Sequence, residues 1–228
     1  MTTAMLRLGA TAAVLMAARQ FFRNWGGTTK AECSMPLPGD DLVGQPAVVT
    51  TEGGVTIDRR PEAVWPWLIQ IGQDRAGGFY AYEKAQTLVG LDYHVANEIH
   101  PEWQHLAEGD TVRLAPRGWL GLKDGIVVTV ARLEAGRSLV LRTAGSRSFW
   151  DAIWSLNVVP SGEDRTRLLI RTRVPLRQPG AVLGAELIAP AKAFITRAIL
   201  LGGVKQRAES EAAAHSTAVT ATSPTSPP

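Results

Sequence analysis

Between residues 70 and 82 the chain gathers Gln70, Gln73, Asp74, Arg75, Tyr80 and Tyr82 around Gly72, Gly77 and Gly78. A glycine loop turns sharply enough to present such side chains toward a cavity mouth. There Arg75 is suited to meet an acidic ligand head, and the tyrosines offer apolar walls with a hydroxyl handle. Asp74 and Arg75 could equally pin the loop through hydrogen bonds. A second concentration, from Asp92 to His105, sets His94, His100 and His105 beside Asp92 and Glu102. Metal binding is not expected from it: no HExxH pattern is present, and His100 and His105, five apart, share a helical face poorly. His100 or Glu102 at a cavity rim would suit acid–base chemistry, and Trp103 beside them is a ligand-contact candidate. Trp150 and Trp154, with Trp65 or Trp67 facing them, would line a pocket for a flat or lipidic ligand or pack as core. Asp74, His100, Glu102 and Asp151 are the candidate catalytic acids and bases.

The elements that must position these groups fall into a definite order. Val48–Thr51 and Val55–Ile57 flank Gly53 and Gly54, which reads as a first strand or a hairpin. Pro61 opens a helix, where a missing N–H costs nothing, and Val64, Leu68 and Ile71 recur at helical spacing with Ala63 and Trp67 beside them. Pro66 would kink that helix or delay its start. A second short helix is expected over Tyr82–Val89, stopped by Gly90. From Asp110 to Leu176 the runs Thr111–Ala115, Ile126–Leu133, Ser138–Thr143, Phe149–Val159 and Arg167–Val174 alternate with turn formers. Such short connections join antiparallel neighbours. Alternation predicts one greasy face, with Trp150, Trp154, Leu156, Leu168 and Ile170, and a second, partly wet face with Arg167, Arg171 and Arg173. After Pro179 and Gly180 an apolar stripe from Leu183 to Val204 predicts a helix, split or kinked at Pro190.

With 228 residues, 45% of them hydrophobic, the chain suits one domain with a sizeable core and loose ends. The division expected is an apolar N-terminal helix at 1–23, an irregular connector at 24–47, a folded domain at 48–209 and a disordered tail at 210–228. The formal charge of +3 comes from scattered arginines, so no nucleic acid is expected as partner. The single cysteine, Cys33, permits no internal disulfide and fits a cytoplasmic setting. Arg7 and Arg19 bracket eleven apolar residues. That is ~16 Å of helix against a ~30 Å hydrocarbon core. Residues 4–25 therefore leave three readings open: a helix packed on the body, a membrane contact, or a cleaved signal. No Walker loop, dinucleotide fingerprint, nucleophile elbow or zinc ribbon occurs, and no cofactor is expected.

Strand, two short helices, antiparallel meander and C-terminal helix follow the order of the helix-grip fold. Val55-Thr-Ile57 with Pro61-Glu-Ala-Val-Trp65 resembles the first strand and helix of the START/Bet v 1-like (SRPBCC) superfamily, which includes polyketide cyclase/dehydrase-like proteins. Arg167-Leu-Leu-Ile-Arg171 is similar to its last strand, and the resemblance spans residues 48–209. Asn24-Trp-Gly-Gly-Thr28, Leu37-Pro-Gly-Asp40, Trp67 to Arg75, Phe79-Tyr80 and His100 to Gln104 resemble bacterial members of unsettled function. The resemblance implies an α+β helix-grip fold, a curved antiparallel sheet wrapped around a long C-terminal helix. It also implies a cavity between the two for a hydrophobic small molecule such as a lipid, polyketide or isoprenoid. It transfers no catalytic residue. A cyclase, dehydratase or hydrolase acting in that cavity is the alternative, and a membrane-attached interaction module with a filled cavity is the second.

Overall fold

Period-two alternation builds most of the described chain into strands. The structure, a computed structural model, describes residues 27–44, 47–76, 96–143, 152–175, 196 and 201–210. The expected helices at 1–23 and Tyr82–Val89, most of the stripe after Pro179, and the tail after Ser210 lie outside them. Strands β1 (Ala47–Ile57), β2 (Thr111–Ala115), β3 (Ile126–Glu134), β4 (Ser138–Thr143), β5 (Ile153–Pro160) and β6 (Thr166–Pro175) form one antiparallel sheet. Its order is β1-β6-β5-β4-β3-β2, a meander whose last strand returns to the first. Gly53 and Gly54 do not turn a hairpin: β1 runs straight through them, with a bulge between Thr51 and Gly53.

One face of the sheet carries the core. Val112, Val128, Leu139, Leu141, Leu156, Leu168 and Ile170 all project there and are buried. Against them lies α2 (Pro61–Ile69), which follows α1 (Lys30–Ser34) in the chain and buries Val64, Trp67, Leu68 and Ile69. Pro66 is accommodated inside α2, while Ala63, expected on the buried side, is exposed. Residues 202–210 are helical, and Leu201, Val204 and Ala208 join the same core. Lys205 donates to the Thr56 carbonyl at 2.8 Å, and Glu209 accepts from the Asp58 N–H at 2.9 Å, so this helix sits at the Ile57 end of the sheet. A six-stranded antiparallel sheet with its C-terminal helix on the core face is the helix-grip architecture of the α+β class.

The second face is the larger surprise, because over β4, β5 and β6 it is not wet. Residues 27–44, read from sequence as a connector, lie across it. Gly39, at φ 91°, brings its backbone so near the sheet that a Cβ would stand 2.8 Å from Val140 Cγ1. A Cβ at Gly54 would stand 2.7 Å from Arg167 Nη2, so this bare position on β1 leaves room for the guanidinium. Arg167 then donates to Glu32 Oε1 at 2.6 Å and to the Gly27 carbonyl. Thr29 and Glu32 close a capping box at the start of α1, which fixes the carboxylate Arg167 needs. Arg132 binds Asp41 through both oxygens, at 2.8 and 2.7 Å.

At the centre of this face Asp40 serves two arginines. Arg171, 2% exposed, donates to Asp40 Oδ2 at 2.8 Å and to the backbone oxygens of Met35, Glu32 and Cys33. Arg173 Nη1 lies 3.2 Å from Asp40 Oδ1, close enough for attraction but not aligned for a hydrogen bond, and its Nε and Nη2 are buried without partners among the described residues. Below them Ser138 donates to Asn157 Oδ1 and Asn157 to Ser155 Oγ, both at 3.0 Å, so this buried polar row is internally satisfied.

Two predictions follow from the unequal arginines and from Glu32. Arg171→Met strips Asp40 of its best partner and should lower unfolding free energy by about 3 kcal/mol. Arg173→Met removes a poorly satisfied buried charge and should be neutral or stabilising; denaturant midpoints at unchanged m-value decide both. Burial raises the Glu32 carboxyl, but hydrogen bonds from Arg167 and Thr29 outweigh it and leave its pKa below the ordinary value. A depressed folded pKa means stability is present above the unfolded pKa and lost as pH falls through the folded one. The stability gap between wild type and Glu32→Gln should therefore be full at neutral pH and close on acidification below the usual glutamate range.

Candidate functional site

Register across the sheet orders the core face from the edge that the 202–210 helix is bonded to toward the opposite edge. Leu141 pairs with Trp154, Trp154 with Thr172, and Thr172 with Thr50, toward the edge formed by Thr143, Ile153 and Pro175. The helix contacts Thr56 and Asp58 at the opposite edge. Trp154 is half-buried and packs against the core cluster. Thr172 brings a hydroxyl to the same row; sequence alternation put it on this face without marking it as a contact. Trp150 and Asp151, expected beside Trp154, lie outside the described residues.

The loop after α2 is organised by β2. Gly72 adopts φ 139°, and a Cβ there would meet Val112 Cγ1 at 3.2 Å, so the backbone runs close along the strand. The Gln73 N–H donates to the Arg113 carbonyl at 2.7 Å. Arg113 Nε lies 3.6 Å from Asp74 Oδ2, and Asp74 is 72% exposed. Arg75 donates to the Ile69 carbonyl at 3.3 Å, closing the C-terminus of α2. Gln73 Oε1 is buried without a partner among the described residues. Tyr80 and Tyr82 lie outside the described residues.

Gln70 is fully buried. Its amide donates to the Glu98 carbonyl at 3.1 Å and accepts from the His100 N–H at 3.1 Å and from Gln104 Nε2 at 3.3 Å. Gln104 also donates to the Pro66 carbonyl at 3.3 Å. The two glutamines thus clip residues 98–104 onto α2. This pairing across 28 to 38 residues leaves no local signal in the sequence.

His100 sits above the clip, its ring 4.1 Å from that of Trp103. Its Nδ1 is 3.2 Å from Glu102 Oε1 and its Nε2 3.8 Å from Glu98 Oε1. The Glu102 carboxylate is held below the ordinary range by its own backbone N–H and by His100. A surface carboxylate shifted that way stays ionised at neutral pH, which suits it poorly to donate a proton. Trp103 packs its ring on the core cluster. Among the described residues no group of three or more His, Cys, Asp or Glu side chains could hold a metal ion. Nor is any helix among them long and apolar enough to cross a membrane. The candidates therefore divide: Gln70, His100, Glu102 and Trp103 form one cluster, Gln73, Asp74 and Arg75 a second against β2, and Trp154 belongs to a third on the sheet.

Sheet order, core face and C-terminal helix give the chain a helix-grip architecture. No protein-family model matches the sequence, and no curated protein matches it. Among solved structures it is similar to a norcoclaurine synthase point mutant from Thalictrum flavum in complex with a transition-state analogue, at 12% identity and TM-score 0.43, over 74% of this chain and 98% of that one. It is also similar to SA2116 from Staphylococcus aureus, a protein of unknown function, at 9% identity and TM-score 0.45, over 73% and 96% of the two chains. CalU16 from Micromonospora echinospora is similar at 14% identity and TM-score 0.33, over 73% and 86%. At these identities no residue role, ligand or activity passes from those proteins to this chain.

The clip generates a direct test. Gln70→Leu keeps the volume but leaves the Glu98 carbonyl and the His100 N–H unpaired, and should cost about 1–3 kcal/mol. Amide exchange should quicken over residues 98–104 ahead of the sheet, since that segment loses its anchor on α2.

Proposed function

We propose that the chain binds a hydrophobic small molecule, such as a lipid, polyketide or isoprenoid, between the core face of its sheet and its C-terminal helix. The observation that carries this reading is the separation of charge across the sheet. Arg167, Arg171 and Arg173 all point to the outer face, where residues 27–44 neutralise or cover them. The core face of the same strand presents Leu168, Ile170 and Thr172, and its neighbour presents Trp154, Leu156 and Val158. A surface of this composition favours an apolar ligand with at most a few polar groups, and Trp154 with Thr172 supplies an aromatic wall and one hydroxyl.

Catalysis would require an acid or base on that same surface. Of the candidates, Asp74 and Glu102 are exposed, His100 is half-buried beside Glu102, and Asp151 lies outside the described residues. The reading of binding, with transport or sequestration as its use, therefore has the stronger support.

N-phenyl-1-naphthylamine, an uncharged apolar fluorophore, tests it. Saturable one-to-one fluorescence enhancement is expected for wild type, with Trp154→Ala weakening affinity about tenfold through lost aromatic contact. Thr172→Trp should fill the space and abolish binding in a protein that still unfolds cooperatively. Absence of saturable binding, or indifference to both substitutions, overturns the proposal.

A further inference from the structure

We propose that the tip of the β2–β3 hairpin, residues 116–125, docks on an anionic lipid membrane surface, with Trp119 and Leu122 entering the interface and Arg117 and Lys123 reaching the headgroups. This goes beyond ligand binding and does not depend on it. Leu122 is 46% exposed and is the large hydrophobic side chain that stands out in water among the described residues. A lone exposed leucine is ordinary, but this one is held out by construction.

The hairpin tip is tied internally. The Gly118 N–H donates to the Leu122 carbonyl at 2.8 Å, Leu122 N–H to Trp119 at 2.9 Å, and Gly125 N–H to Leu122 at 2.9 Å. Arg113 donates to the Asp124 carbonyl from the strand below. The main chain at Leu122 is therefore fixed by the turn, and its side chain starts from the outside of it. Gly118 and Gly121, at φ 81° and 77°, are required by the turn, and a Cβ on either would meet nothing within 4 Å. The space beside these two glycines is open. Gly125 differs, since its Cβ would run into the Ala115 and Pro116 carbonyls, so the base of the hairpin is tightly closed.

Charge and residue type choose the partner. Arg117 and Lys123 are exposed on either side of the tip and make no ion pair among the described residues. Asp124 is exposed beside Lys123, which leaves the tip with a net charge of one positive unit. Half-buried Trp119 combines an apolar body with a polar edge, the combination that settles at headgroup depth. Flanking basic side chains extend toward anionic headgroups while their stems lie along the apolar layer. An apolar groove on another protein would accept Trp119 and Leu122 but gives no reason for a cation on each side. The tip also projects from the edge of the sheet nearer Trp154 and Thr172, because Ala115 pairs with Ile126 and the register carries that edge across to Ile153 and Pro175.

Flotation of the full chain with vesicles of phosphatidylcholine containing about 30% phosphatidylserine tests this, with no cavity ligand present. Wild type should float with these vesicles and several-fold less with pure phosphatidylcholine. Leu122→Ser should weaken binding about tenfold, and Arg117→Glu with Lys123→Glu by at least as much. All these side chains are exposed, so unfolding midpoints should not move. The proposal is overturned if wild type remains unbound, if it binds both vesicles equally, or if the variants float as well as wild type. The last result would assign contact to residues 4–25 or another surface. None of these outcomes bears on N-phenyl-1-naphthylamine binding, so the two proposals fail separately.

Discussion

The sharing of Asp40 between Arg171 and Arg173 is the constraint on which the rest of the fold rests. Strand β6 lies between β1 and β5, and its outer face, which residues 27–44 cover, carries three arginines. Placing a guanidinium in an interior is costly unless nearly every N–H finds an acceptor. Arg171 meets that condition by drawing on one carboxylate and three backbone oxygens from residues 32–40. Residues 27–44 are consequently part of the packing of the sheet, although only Lys30–Ser34 of them form a helix.

This outer layer also explains why the core face can be so uniformly apolar. A strand has two faces and one sequence, and the positive charge of β6 is confined to odd positions where Glu32 and Asp40 wait. Even positions are then free to be Leu168, Ile170 and Thr172. The buried ion pairs thus lie on the face away from the surface proposed to bind. The arrangement has its own weak point: Arg173, with two buried nitrogens lacking partners among the described residues, contributes charge that Asp40 answers only in part.

What was legible in the sequence follows from the range over which each signal acts. Alternation is local, so the strands, their faces and the helix beginning at Pro61 could be read from neighbours alone. The partners of Arg171 lie 131 to 139 residues away, and nothing near Asp40 announces that its carboxylate will close an arginine cluster. For the same reason residues 27–44 read as connector: proline, glycine and aspartate mark turns whether a turn is free or docked. The loop at 70–76 illustrates a different limit. Its polar residues read as a cavity mouth; in the structure Gln70 bonds the backbone of residues 98 and 100 and Arg75 the Ile69 carbonyl at the end of α2, and composition cannot distinguish a side chain bound for a ligand from one bound for its own chain.

Glycine separates two physical demands that look alike in sequence. At Gly39 and Gly54 the space a Cβ would need is already filled, by Val140 in one case and by Arg167 in the other, so these residues are small because something must come close. At Gly118 and Gly121 the surroundings are open, and the requirement is for a left-handed turn alone. The first pair draws residues 27–44 onto the sheet; the second holds a hairpin away from it. A protein that closes one face with buried ion pairs while extending an apolar, basic-flanked tip from one edge has placed rigidity and exposure in different parts of the same sheet. The main-chain path at Leu122 is then a property of the turn, maintained by bonds that do not depend on what the tip meets.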